Sequence, residues 1–318
     1  MDGNKPGLLN PITAIFVILI VIMGLVLIVE SVFIISQADV FSGMFSDIAP
    51  VSANKVAVIY VEGELITDNV PDGLGYASSN SIVKHLREAE EDKSIKAIVL
   101  RVNSPGGTPV AAQEIFSQVN KTSQVKPVVV SMGDIATSAA YYISAPCTRI
   151  VANPDTFTGS IGVIWTFENR SGLYEKEGIQ YYVAKSGPYK DVGADWRGLN
   201  DNEKAYVNTI INQSYSRFVD AVASGRHMDR AEVQRLADGR VYTGYEARDL
   251  GLVDDMGSMY DAIDIAAQLG NISGKPEVTY VNDPSLYELL FGSEAMSNAT
   301  MREGYYQPYY SPYGRIHA

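Results

Sequence analysis

From residue 55 onward the chain alternates between short apolar runs and longer segments that are apolar on one side only. The runs KVAVIYVEGEL (55–65) and SIKAIVLRV (94–102) are almost continuously apolar and β-branched, the pattern of strands covered on both faces. Between them, SNSIVKHLREAEED (79–92) spaces its apolar residues as a helix does and keeps its charges outside. After an SPGG turn at 104–107, PVAAQEIFSQVNKT (109–122) predicts an amphipathic helix and KPVVVSM (126–132) another strand. Shorter strands are predicted at 149–153, 160–165 and 178–187. A long helix is predicted over 201–225, with shorter ones at 229–237 and 245–250. Strands alternating with helices of this length predict an α/β domain around a largely parallel sheet with right-handed crossovers.

The ends of the chain follow other patterns. ITAIFVILIVIMGLVLIV (12–29) carries no charge, and the apolar run resumes after Glu30 and Ser31 as VFII. At about 1.5 Å per residue it is long enough to cross a hydrocarbon core, and it is apolar on every face. A cleaved signal peptide would have a shorter apolar core and a more basic start. The organisation that results is a short segment at 1–11, a transmembrane helix at 12–35, a juxtamembrane linker at 36–54, a main domain at 55–282 and a tail at 283–318. Lys5 precedes the span, whereas Asp39 and Asp47 follow it with no Lys or Arg before Lys55. That asymmetry predicts a single-pass membrane protein with a cytoplasmic N-terminus and an external main domain. Sequons at Asn120, Asn169, Asn212, Asn271 and Asn298 add weak support for an external domain. The tail ends in MREGYYQPYYSPYGRIHA, without any period, and is expected to be mobile or pinned by contacts elsewhere.

Composition narrows the function classes. With 46% hydrophobic and 19% charged residues, the 318-residue chain has an ordinary globular balance. A net charge of −12 with no basic stripe argues against a nucleic-acid partner. Cys147 is the single cysteine, so neither an intramolecular disulfide nor a cysteine metal cluster is possible. No metal or cofactor is expected.

The chemistry centres on GDIATSAAYYISA (133–145), where Ser138 sits at a strand-to-helix junction. Locally it reads equally well as a helix-opening serine and as a nucleophile, and a nucleophile needs a base. The three histidines, His85 on the charged helix, His227 in RHMDR and His317 in the tail, lie outside the small-residue and turn segments. Lysine is the other option, because a neutral amine can take the serine proton. Lys190 lies in KSGPYKDVGADWRG (185–198), a glycine-punctuated segment with Tyr189 and Trp196 nearby. In RVNSPGGTP (101–109), Gly106 and Gly107 can present amides with no Cβ in the way. Together with the free amide after Ser138, they offer a two-donor oxyanion hole. Each of these has a structural alternative: a solvated lysine and a tight turn.

The strings RVNSPGG, SMGDIATSAAYYISA, VANPDTFTGSIGVI, SGPYKD and ADGRVYTGYEARDLGLVDDMG, in this order, resemble the signal peptide peptidase SppA family in its short, single-domain form. The resemblance spans roughly residues 55 to 268. It implies a Clp protease/crotonase-like spiral of ββα units, carried here behind an N-terminal transmembrane helix, and a membrane-bound serine endopeptidase acting on signal peptides or other apolar peptides. The family's nucleophile falls on Ser138 and its general base on Lys190. Its oxyanion amides fall on Gly107 and Ala139, and its lysine-orienting serine on Ser160. The resemblance further implies a homo-oligomer in which Ser138 and Lys190 come from neighbouring subunits. Ala139-Ala140 stands where the family usually has Gly-Gly, with the expectation of a narrower site. Thr108-Pro109 replaces the more common Ser-Val. The alternatives from other classes are a crotonase-like acyl-CoA enzyme and a catalytically inactive membrane scaffold.

Overall fold

The computed structural model describes residues 54–70 and 75–282, together with the backbone of 316–317. The span at 12–35 lies outside the described residues, as do the linker at 36–54 apart from Asn54 and the tail apart from 316–317. Among the described residues no helix is long and apolar enough to cross a membrane.

The first half of the domain runs β1 (Lys55–Glu62), β2 (Glu64–Ile66), β3 (Tyr76–Ser78), α1 (Ser79–Glu91), β4 (Ile95–Ser104) and α2 (Pro109–Thr122). It continues through β5 (Val128–Thr137), α3 (Ala139–Ser144), β6 (Arg149–Ala152), β7 (Phe157–Gly159), β8 (Ile164–Trp165) and α4 (Ser171–Lys176). The second half adds α5 (Asp201–Arg226), α6 (Arg230–Leu236), β9 (Val241–Thr243), α7 (Gly244–Asp249), β10 (Asp255–Met256), α8 (Met259–Leu269), β11 (Glu277–Tyr280) and β12 (Ile316–His317).

Among the described residues the main sheet has eight strands. Six follow the order β10-β6-β5-β4-β1-β11, all parallel, while β7 extends the far half of β5 in parallel and carries β9 antiparallel. The sheet is therefore mixed.

Why the central strands are continuously apolar is visible in their alternation. Ile59, Leu100, Val130 and their face-mates pack under α1, α2, α3 and α5 through Leu86, Ile115, Ile143 and Phe218. The opposite residues, Val58, Val99, Val129 and Val151, pack under α8 through Ala262, Ile263 and Ala266. Both faces are covered, so neither can be polar.

Helix starts are encoded locally. At α2, the Thr108 hydroxyl accepts from the Ala111 amide and Pro109 occupies the first turn. A reciprocal Asn200–Glu203 capping box opens α5.

Two predicted strands come out differently. The segment 178–187 forms no strand, and its residues from Gly178 to Ser186 are exposed. Its alternation suits a strand, but its first amides, of Gly178 and Ile179, donate back to the Glu175 and Tyr174 carbonyls at the end of α4. Tyr181 instead stacks on Trp196 at 5.0 Å and meets Tyr174 edge-on at 5.2 Å. The strand predicted at 160–165 shrinks to Ile164–Trp165, because Ser160 has a φ of 48° and turns the chain. Its place in the sheet is taken by β7, just before it. The two-residue β12 pairs antiparallel with β8, Ile316 opposite Trp165 and His317 opposite Ile164.

Candidate active site

In a parallel sheet the carboxyl ends of the strands share one edge, the usual place for a site in α/β proteins. The neighbouring strands β4 and β5 end there, and their register shifts between Val102↔Met132 and Ser104↔Ala136, so β5 carries two additional residues. The bulge is built on Asn103. Its side-chain Oδ1 accepts from the Ile135 amide at 3.3 Å, and a Cβ on Gly133 would lie 2.8 Å from the same oxygen. Past the bulge β5 leaves β6 and pairs with β7, Ile135 opposite Phe157 and Thr137 opposite Gly159.

Ser138 is the next residue. Its φ of 56° and ψ of −123° form a conformation L-residues rarely adopt, worth about 1–3 kcal/mol of strain. The surroundings hold it from both sides: its amide donates to the Gly159 carbonyl at 2.8 Å, and its carbonyl accepts from the Tyr142 amide at 2.9 Å. Its hydroxyl, half-buried, has no hydrogen-bond partner among the described residues. The helix behind it is anchored by Tyr141, whose hydroxyl donates to the Leu252 carbonyl at 2.9 Å.

Ala139 and Ala140 are fully buried and belong to the hydrophobic core. Their methyl groups pack inward, so they do not narrow an open groove as the replacement of Gly-Gly suggested.

Gly107 reaches the same edge by a separate route. The Thr137 hydroxyl donates to the Pro105 carbonyl at 2.9 Å, tying the SPGG turn to the residue before Ser138. Leu65 donates its amide to Gly106 and accepts from Thr108, both at 2.8 Å, forming a parallel bridge to Gly107. In such a bridge the flanking peptides turn toward Leu65, and Gly107's own amide and carbonyl face the other way. Glycine is required here, since a Cβ would lie 2.1 Å from the Leu65 carbonyl oxygen.

Ser160 follows Gly159 as Ser138 follows Thr137, so the two serines leave adjacent paired strands, on the order of 5 Å apart in backbone. Its amide donates to the Arg240 carbonyl at 2.8 Å. The structure thus brings Gly107, Ser138, Ala139 and Ser160 to one edge.

Lys190 is different. It lies exposed in the turns before α5, on a segment separate from the strands that lead into Ser138 and Ser160. Of the histidines, His85 lies on α1 and His227 closes α5 at a φ of 55°. Cys147 is buried and burial pushes its thiol up, which removes it as a rival nucleophile. Among the described residues no group of three His, Cys, Asp or Glu side chains is placed to hold a metal ion.

The supports Asn103, Thr137 and Tyr242 were not singled out from sequence. Tyr242 stands where a Cβ on Gly159 would lie 2.6 Å from its ring. Only the glycines beside these residues hinted at such close approach.

A profile of peptidase family S49 matches residues 120–273, and a profile of Clp protease matches residues 67–152. A candidate protease of Synechocystis sp. is 40% identical over 231 residues, covering 72% of this chain and 80% of that protein. A candidate protease of Methanocaldococcus jannaschii is 35% identical over 269 residues, covering 83% of each. A candidate signal peptide peptidase SppA of Enterococcus faecium is 37% identical over 204 residues, covering 64% of this chain and 59% of that one. With a Clp protease-like α/β domain of its own, the chain belongs to peptidase family S49, the SppA-type serine peptidases.

Proposed function

We propose that the protein is a membrane-anchored endopeptidase in which Ser138 is the nucleophile and Lys190 the general base. The observation that carries this reading is the strained backbone of Ser138, held beside a Gly107 amide that faces away from its own strand partner. Strain of this kind persists where the surroundings over-determine it, as active sites do.

Lys190, as the uncharged amine, accepts the Ser138 proton while the serine oxygen attacks the peptide carbonyl carbon. The amides of Gly107 and Ala139 stabilise the oxyanion. Collapse expels the amine, which takes the proton from Lys190 and leaves a Ser138 ester. Water, deprotonated by Lys190, then releases the acid and restores the serine. Ser160 orients the lysine amine. Activity rises from neutral into alkaline pH, because only an uncharged amine takes up a proton.

Lys190 comes from a neighbouring copy in this reading. Its support is the exposed position of Lys190 in the turns before α5, and an exposed apolar run suited to a subunit contact that includes Tyr182, 96% exposed. Substrates are extended apolar peptides, signal peptides among them, bound as an added strand along the Gly107 edge. The anchor at 12–35 places the domain on the external face of the cell membrane.

The test uses the full chain in detergent and an apolar fluorogenic peptide. Ser138→Ala and Lys190→Ala are each expected to be inactive yet folded, and mixed oligomers of the two to regain part of the activity. Full activity in either single variant overturns the dyad. Inactive oligomers shown to contain both variants overturn the shared site.

A further inference from the structure

The turns that carry Lys190 lie outside any helix or strand, yet they are held by a dense set of directional bonds. Lys190 donates its amide to Gly187 at 3.2 Å, Val192 to Tyr189 at 3.3 Å and Ala194 to Asp191 at 3.2 Å, a run of tight turns. The side chain of the next residue, Asp191, is nearly buried, and Arg197 reaches it through Nε at 3.1 Å and Nη2 at 2.8 Å. Lys185 adds a third bond to the same carboxylate at 2.6 Å. Arg197 also donates to the Asp191 carbonyl at 3.1 Å.

The other side of the guanidinium grips Glu203, with Nη1 at 2.8 Å and Nη2 at 2.6 Å. Glu203 is 1% exposed, and its carboxylate also accepts the Asn200 amide that caps α5. That helix is seated in the core through Phe218, Val219 and Val222. A continuous path of bonds therefore runs from the core through α5, Glu203, Arg197 and Asp191 to the backbone of Lys190.

Two cations and two carboxylates balance, so the cluster brings no net charge to the lysine. Apolar side chains of similar volume would stabilise such a turn at least as well as buried ion pairs. What the planar fork adds is direction: it holds carboxylates on two sides at once, which a lysine in its place could not do.

We infer that Arg197 is a positioning residue for Lys190, clamping Asp191 to Glu203 so that the lysine projects from one fixed place and direction. This rests on the reading of Lys190 as the base. Hydrogen bonds from Arg197 hold the Asp191 carboxyl well below the usual carboxylate range and lower that of Glu203, so the clamp stays ionised across neutral and alkaline pH.

The test compares Arg197→Lys, Arg197→Met and Asp191→Asn with the parent, all as the full chain. One readout is steady-state hydrolysis of the apolar peptide. The other is the rate at which trace acetic anhydride acetylates Lys190, read by mass spectrometry against exposed Lys84 of the same molecule. The clamp predicts that both Arg197 variants lose on the order of 10–100-fold in kcat with KM nearly unchanged, the cost of a misplaced group. Asp191→Asn, which keeps shape and some hydrogen bonds, loses less. In every folded variant the Lys190/Lys84 acetylation ratio changes, and it changes most for Arg197→Met.

Parent-like kcat together with a parent-like ratio in Arg197→Lys overturns the clamp. So does the same result in Asp191→Asn, should the arginine variants fail to fold. The acetylation ratio does not depend on catalysis. A changed ratio alongside a fully active Lys190→Ala would retain the clamp and reject the lysine base, so the two failures are distinguishable.

Discussion

Gly107→Ala tests both the architecture and the chemistry of the site. The added Cβ would lie 2.1 Å from the Leu65 carbonyl oxygen, 2.5 Å from its nitrogen and 2.7 Å from its carbonyl carbon. All three are backbone atoms of a strand, so no side chain can swing away. Relief to an ordinary carbon–oxygen contact of about 3.3 Å needs roughly 1 Å of backbone movement. That movement breaks or bends two hydrogen bonds of 2.8 Å, Leu65 to Gly106 and Thr108 to Leu65. At about 1 kcal/mol each, and more if a buried partner is left unpaired, the loss is about 2–4 kcal/mol. For a domain of this size that lowers the Tm by about 5–15 °C. The same movement displaces the Gly107 amide, and loss of one oxyanion donor costs about 10²–10³-fold in kcat. The assay pairs thermal melting with hydrolysis of an apolar fluorogenic peptide. Gly172→Ala serves as control, since an added Cβ there has nothing within 4 Å and φ is not positive. A Tm and kcat within the spread of the control would refute the close approach. A lowered Tm with parent-like kcat in the folded fraction would refute the oxyanion role alone.

Other consequences concern backbone strain and acid. Ser138→Gly and Ser138→Ala are both expected to be inactive, but glycine relieves the positive φ at the cost of a more flexible unfolded chain. Ser138→Gly should therefore melt higher, by the equivalent of about 1 kcal/mol, and equal melting of the two would argue against strain at this position. Acid should weaken the Lys190 turns, because hydrogen bonds from Arg197 depress the Asp191 and Glu203 carboxyls in the folded state. A depressed carboxyl contributes stability that is complete above its unfolded pKa of about 4 and is lost as pH falls toward its folded value. Melting from pH 6 down to pH 2 should thus fall more steeply in the parent than in Arg197→Met, and parallel curves would contradict the coupling.

What could be read from sequence was whatever is encoded within a few neighbouring residues. The apolar runs at 94–102 and 126–132 became the central strands, because strands covered on both faces admit little else. The helix predicted over 201–225 appears as Asp201–Arg226, opened by a capping box that spans only four residues. Ser138 stood out by its position at the junction, and Gly107 by the glycine pair beside it. The pattern failed at 178–187, where strand-like alternation met no strand partner among the described residues.

Contacts between separate segments decided the rest. The conformation of Ser138 depends on Gly159, the accessible face of Gly107 depends on Leu65, and the setting of Lys190 depends on Arg197 reaching Glu203. None of these contacts has a local signature, since each joins groups whose own segments would be satisfied in several other conformations. Only packing the sheet, with its bulge at Asn103, selects among them. The strain at Ser138 can exist because the folded surroundings supply the hydrogen bonds that an isolated junction would lack.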